Sequence, residues 1–326
     1  MKIAPCVVAA LGLCSFLTAA HSAESAQSFP SKPIKIVVPY SPGGTTDLLA
    51  RTIGKHLSDT WKQPVIVENK PGVNGMIGSD VVAKAPADGY TLGIASPGSH
   101  AANASLYPNI TYDTVKDFTP VTLAVSAPLV LVAHPSLNVK NVKDVIQLAK
   151  AKPGDISYAS GGAGSSQHLA MELFNHEAGL KMTHVPYKGS AASYVDLLGG
   201  RVTLEFDALP SAMQHVKTGK LVALAVASSS RVPFLPDVPT VAESGVPGYE
   251  SSAWYGLVAP ANMPADILAK LNGEIVTALK KPEIADILTR AGVIVVASTP
   301  EQFATHIKNE VAKAGKIITA ANIKAE

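Results

Sequence analysis

The sequence predicts an α/β protein of two lobes, each a doubly wound, parallel-rich sheet, joined by a two-strand hinge. Three observations lead there. Strand and helix patterns alternate in two successive blocks. Two segments far apart share one design: a strand, a turn with paired glycines, and a helix opening on hydroxyl residues. They are Ile34–Val38 followed by Ser41-Pro42-Gly43-Gly44-Thr45-Thr46-Asp47, and strand 156–160 followed by Gly161-Gly162-Ala163-Gly164-Ser165-Ser166. Two apolar extended stretches bounded by prolines, 129–133 and 254–258, read as crossings between lobes. A chain that crosses twice makes a clamshell hinge.

The N-terminus reads as a secretory signal over 1–26. Lys2 supplies the charged start, 6–19 is apolar, and small residues place cleavage between Ala20 and Ala26. The apolar run is too short for a membrane span. The chain's 2 cysteines, Cys6 and Cys14, both fall in it, so the mature protein has neither disulfide nor thiol chemistry. Leu13 is too large to precede a lipidated Cys14. The mature chain is expected to be soluble and exported.

The first lobe is assigned 27–127 plus 256–326. Strand Ile34–Val38 leads to a helix over 46–60, whose Leu48, Leu49, Ile53 and Leu57 share a face. A strand over 65–67, a glycine turn and a helix to 84 follow. A strand over 91–95 and the loop Ser96-Pro97-Gly98-Ser99 close the block. The second lobe is assigned 128–255. Its helices are expected over 142–150, 166–177, 191–198 and 211–217, and its strands over 156–159, 182–185, 202–206 and 221–227. A proline-rich stretch, 234–245, wraps its surface. After Pro260, helices over 264–279, 282–291 and 300–317 with a strand over 293–297 return to the first lobe.

At 326 residues, with 47% hydrophobic and 16% charged residues, two domains with sizeable cores are expected. Net charge is +2, and no basic run carries interleaved aromatics, so nucleic acid is not an expected partner.

Each glycine turn leaves backbone N–H groups at a helix start pointing outward, a ready anion site. In the first, Gly43 and Gly44 admit close approach, and Tyr40, Ser41, Thr45 and Thr46 flank them. Thr45 or Thr46 caps the helix, with Asp47 as reciprocal cap rather than ligand contact. Ser96 holds the corresponding position after the next strand. In the second, Ser160, Gly161, Gly162, Ala163, Gly164 and Ser165 offer donors without side-chain crowding. It lacks the Gly-Lys-Ser/Thr of a phosphate loop and the spacing of a dinucleotide fingerprint. His168 follows one turn later. It could share a helix face with Glu172 and His176, where a solvated face is the simpler reading than a metal site. Tyr187 and Lys188 join a strand to a helix at the cleft edge. Asp207 ends a strand at its carboxyl end, either accepting a ligand donor or capping a helix. Tyr40, Phe206 and Trp254 are pocket walls or plain core. No hydrolase elbow, metal cluster or cofactor motif is present, so no cofactor and no enzymatic activity are expected.

The run 33–47, closing on Ala50 and Arg51, resembles the opening signature of the Bug-type solute receptors, the extracytoplasmic binding proteins of tripartite tricarboxylate transporters. Val67-Glu68-Asn69-Lys70-Pro71-Gly72 with Gly75 and Gly78, Ala87-Asp88-Gly89-Tyr90-Thr91-Leu92, Tyr158-Ala159-Ser160-Gly161-Gly162-Ala163-Gly164-Ser165 with His168, Val185-Pro186-Tyr187-Lys188-Gly189, and 237–245 fit the same family. The resemblance covers essentially the whole mature chain. It implies a type II-like Venus-flytrap periplasmic binding protein. It further implies a carboxylated metabolite held between the loops 41–46 and 160–166 with ordered water, and large and small permease subunits as membrane partners. The protein is read as a monomer that captures a small carboxylate for uptake. The alternatives are a receptor that docks on a signalling sensor, or an exported enzyme acting on a small acid.

Overall fold

The computed structural model describes residues 25–187 and 189–325, and of Ala191 and Pro210 the backbone alone. Residues 1–24 of the expected signal segment, with Cys6 and Cys14, and Lys188 lie outside the described residues.

The first block runs β1 (Ile34–Val38), α1 (Thr45–Trp61), β2 (Val65–Asn69), α2 (Met76–Ala83) and β3 (Thr91–Ala95). A π turn over Gly98–Ala102 and the short α3 (Asn103–Leu106) follow. β1 is flanked in parallel by β2 and β3. All its residues but Lys35 are buried, on both faces, which is why it reads as mostly apolar. Ile34, Ile36 and Val38 join the main core, and Val37 joins the cluster on the opposite face. Helix α1 presents Leu49, Ile53 and Leu57 to that main core. Each such side chain contributes roughly 1.5–3 kcal/mol on burial.

Strand β4 (Phe118–Ala133) then runs through both halves of the molecule. The second block is α4 (Val142–Ala151), β5 (Ser157–Ser160), α5 (Ser166–Ala178), β6 (Thr183–Pro186), α6 (Ser190–Leu197), β7 (Leu204–Ala208), α7 (Leu209–Lys217) and β8 (Val222–Val226). Here β5 is the parallel centre, between β6 and β7. The chain returns through β9 (Ser252–Pro260) to α8 (Ala265–Lys280), α9 (Pro282–Arg290), β10 (Ile294–Val295) and α10 (Pro300–Ala320). The stretch 234–245 lies along β8, where Val226 bridges Thr240.

The strands form one curled order, β2-β1-β3-β9-β4-β7-β5-β6, with β8 and β10 also on β4. The pivot is β4. Its Phe118–Pro128 part pairs antiparallel with β9, and Leu129–Ala133 pairs antiparallel with β7 and β8. The crossing strands thus add antiparallel pairs to the two parallel centres. The extended run begins at Phe118 rather than 129, and β9 begins at Ser252 rather than 254. Pro128, expected to bound the stretch, lies inside β4, as does Pro120. Register shifts at Pro120/Thr122 and Leu123/Val125 bulge the strand and absorb its irregularity. Among the described residues no helix is long and apolar enough to cross a membrane.

Candidate functional site

The turn after β5 meets residues that follow β2 and β3, and lies beside the end of β6. Ligands of open α/β sheets bind at such strand ends. A Cβ built on Gly164 would lie 2.7 Å from Leu106 Cδ2 and 3.0 Å from Asn74 Nδ2. The Asn74 carbonyl in turn accepts from the Tyr40 hydroxyl at 3.5 Å. Ala163 and Leu169 share a hydrophobic cluster with Ala101, Ala102 and Leu106. The second glycine turn is therefore packed against the first half, beside Tyr40.

The first turn is open. Ser41, Gly43 and Gly44 are exposed, Thr45 is half-buried and Thr46 buried. The capping residue is Gly44, not a threonine, and it brings no side-chain acceptor. The first helical bond is Leu48 N–H to Gly44 O, 3.0 Å, so the amides of Thr45, Thr46 and Asp47 precede the ladder. Asp47 serves the turn: its Oδ2 accepts from Gly43 N–H (3.1 Å) and Arg51 Nε (2.9 Å), its Oδ1 from Asn69 Nδ2 (3.1 Å). Burial works to raise the Asp47 carboxyl, but bonds from Arg51, Gly43 and Asn69 outweigh it and hold it below the usual range. Asn69 also donates to the Tyr40 carbonyl, 3.0 Å, pinning the turn's start.

Behind this turn runs a chain of hydroxyls. Tyr40 OH lies 2.6 Å from Ser96 Oγ, Ser96 Oγ 3.0 Å from Ser99 Oγ, and Ser99 Oγ 2.9 Å from His100 Nδ1. Burial raises the Tyr40 phenol, the serine bonds offsetting only part of it. Burial also pushes His100 down to about 3, so it is neutral.

The second turn is more self-contained. Gly162 N–H donates to Ser160 Oγ (3.1 Å), Gly164 N–H to His168 Nδ1 (3.1 Å) and Ser165 N–H to Gly162 O (3.1 Å). Ser165 caps α5, its Oγ accepting from His168 N–H at 3.3 Å. Three of the amides expected to point at a guest thus hold the turn's own shape. Ser160 and His168 lie beneath the turn, 0% and 5% exposed. His168 stacks on His184, which binds Ser160 Oγ at 2.6 Å. Burial lowers His168 to about 3 and His184 to about 4, the neighbouring His184 adding to the effect on His168. The shared face of His168, Glu172 and His176 does not materialise as a metal site. Glu172 accepts from Tyr158 and Asn175, and no metal-holding cluster occurs among the described residues.

Tyr187 sits at the edge with its hydroxyl donating to Asp196 Oδ2, 2.7 Å, so its phenol is engaged within the lobe. Asp207 is fully buried and accepts from Ser190, Gln167 and Tyr194. Phe206 and Trp254 are core: Phe206 packs on Phe174 and Tyr249, Trp254 on Phe303 and His306. The aromatic that sequence reasoning missed is Tyr255, one residue beyond Trp254 on β9. It is half-buried, and both Tyr40 and Asp207 are close enough to add to the burial that raises its phenol. Among the described residues its hydroxyl shows no partner. Strand alternation is the signal that could have found it, since a buried Trp254 turns Tyr255 to the other face. Gln167 and Ser190 were missed likewise.

Residues 49–323 match the model of the tripartite tricarboxylate transporter family receptor. The chain is 38% identical over 303 residues to protein BugT of Bordetella pertussis, covering 92% of this chain and 93% of that protein. It superposes on the structure of Rpa4515 of R. palustris with adipate at TM-score 0.86 and 38% identity, covering 91% of this chain and 100% of the other. For MatC of Rhodopseudomonas palustris with bound malate the values are 0.82 and 32%, covering 89% and 100%.

Proposed function

The chain belongs to the tripartite tricarboxylate transporter receptor family, and from that premise we propose that it captures a small carboxylate between its two lobes in the periplasm, as a monomer, for uptake by membrane permease subunits. The observation that carries this reading is the open start of α1. Three amides at Thr45, Thr46 and Asp47 precede the helical ladder, the cap Gly44 brings no side chain, and the turn is exposed. The adipate held by Rpa4515 and the malate held by MatC support the ligand class.

Magnitudes agree. A helix terminus contributes roughly 0.3–1 kcal/mol to a nearby anion, up to about 2 when partly buried. Each hydrogen bond to a charged group adds roughly 1.5–3 kcal/mol. A few such bonds reach the roughly 8 kcal/mol of micromolar binding. The guest contacts we assign are the first turn from Ser41 to Thr46, with Tyr40 and Tyr255, and the outer edge of the second turn at Gly161. His168 and Asp207 act from beneath as positioning residues. The lobe boundary we assign falls at Leu129 and at Ser252, because 252–255 pair in register with the first-lobe part of β4.

Gly44→Val tests the reading. Gly44 has φ −86°, and nothing lies within 4 Å of an added Cβ, so the fold should stand. The expected result is an unchanged Tm without ligand and loss of the Tm rise that a carboxylate panel gives the parent protein. An undiminished rise would remove the first turn from the site.

A further inference from the structure

The second lobe carries a buried acid pair that the binding of a carboxylate does not by itself explain. Glu205 and Asp207 both have 0% exposure and lie on the same face of β7. Two carboxylates do not both ionise in so dry a place. Hydrogen-bond geometry decides which keeps its proton. Ser193 Oγ lies 3.0 and 2.8 Å from the two Glu205 oxygens, and 2.9 Å from the Ser190 carbonyl. A hydroxyl has one proton. Given to the carbonyl, it leaves Ser193 Oγ to accept from a protonated Glu205.

Asp207 is in the opposite situation. Its Oδ1 accepts from Ser190 Oγ (2.8 Å) and Gln167 Nε2 (3.1 Å), and its Oδ2 from Tyr194 OH (2.7 Å). Three donors converge, so Asp207 holds the negative charge. Burial raises both carboxyls, Glu205 the further, in agreement with that division.

The charge sets the polarity of everything above it. Gln167 Nε2 bonds Asp207 and also Ser190 Oγ, 3.1 Å. Turning the amide over would set its oxygen against a carboxylate, so its orientation is fixed. What remains outward is Gln167 Oε1, which among the described residues meets only a long 3.4 Å contact from Ser166 Oγ, and a lone pair of Ser190 Oγ. Both residues are half-buried, at the carboxyl edge of the lobe between the second turn and Gly189. At Gly161 a Cβ would sit 3.4 Å from Gln167 Oε1, so the glycine leaves that oxygen uncovered.

We propose that this edge reads a hydrogen-bond donor on the guest, a hydroxyl or ammonium substituent on the carbon chain of a carboxylic acid, through Gln167 Oε1 and Ser190 Oγ. The first lobe takes the carboxylate, and the second selects the substituted acid over its plain parent. This rests on the receptor reading above. Asp207 is the positioning residue that keeps both acceptors turned outward.

The test is titration calorimetry on matched acids: succinate against malate and aspartate, glutarate against 2-hydroxyglutarate and glutamate, and adipate against 2-hydroxyadipate. The substituted member of at least one set should bind about tenfold tighter than the plain acid. Gln167→Leu should bring that ratio to about one. Asp207→Asn, which frees the Gln167 amide to turn, should also erase the preference; if that variant does not fold, Gln167→Leu decides. Equal affinity within every set, or a preference that survives Gln167→Leu, overturns this proposal alone. Absence of binding by every acid overturns both it and the receptor reading.

Discussion

His168 and His184 lie face to face, ring centroids 3.8 Å apart and planes within 9°, directly beneath the second glycine turn. His168 comes from the start of α5 and His184 from β6, so the stack joins the helix to the strand edge. His168 Nδ1 holds Gly164 N–H and His184 Nε2 holds Ser160 Oγ. The turn's shape thus depends on two neutral imidazoles.

That arrangement has a pH signature. His168 titrates at about 3 in the fold, against about 6.5 in an unfolded chain. Its contribution is fully present above about 6.5 and is lost as pH falls toward about 3, because the unfolded chain takes up the proton first. The slope is about 1.4 kcal/mol per pH unit for such a group. Glu205 works in the opposite sense, its raised carboxyl favouring the fold as pH falls. The variant His168→Asn, which keeps an acceptor for Gly164, isolates the histidine. Between pH 6.5 and 5 its stability, measured by urea unfolding, should fall less steeply than that of the parent. Parallel slopes would show that the ring is not held neutral.

Gly164 has φ +75° and faces the first half at Leu106 and Asn74. Gly164→Ala combines a left-handed backbone with a contact that closure cannot tolerate. It should cost about 1 kcal/mol of stability and reduce carboxylate affinity at least tenfold. Its solution scattering should show a larger radius of gyration than the parent with ligand. A ligand-bound radius equal to that of the parent would mean that Leu106 and Asn74 move aside.

Tyr255 gives the cleanest test of a site residue. Its hydroxyl shows no partner among the described residues, so Tyr255→Phe should leave Tm unchanged. Carboxylate affinity should drop about 5- to 20-fold, the value of one or two hydrogen bonds. Unchanged affinity in calorimetry would place the hydroxyl outside the guest's reach.

The C-terminal helix is tied to the hinge strand by Trp254 Nε1–H donating to Glu310 Oε2, 2.8 Å, with Phe303 and His306 packed on the indole. Glu310→Ala leaves a buried donor unpaired and should cost about 1–3 kcal/mol. Thermal unfolding should fall by several degrees. A Tm within 1 °C of the parent would mean that water replaces the carboxylate.

The residues of β1 and β3 declared themselves, because a short apolar run between turn signals has few other uses. So did both glycine turns and α1, whose Leu49, Ile53 and Leu57 keep a helical spacing. β4 did not. Pro128 reads as the boundary of a shorter stretch, and the first eleven residues of β4 become a strand only because β9, more than a hundred residues later, pairs with them. The capping of α1 was likewise misjudged. A threonine was expected where Gly44 stands, and only the chain's path around Asp47 decides which residue begins the helix.

The sequence by itself determined the alternation of strands and helices, the two glycine turns and the family signature, because these rest on local spacing and backbone freedom. Tertiary structure alone decided which donors of the second turn hold its own shape, that His168 and Asp207 are buried, and that Gln167, Ser190 and Tyr255 stay half-exposed. Those choices depend on hydrogen-bond partners far away in the chain, Asp207 with Gln167 and His184 with Ser160. A residue's neighbours in sequence carry no record of them.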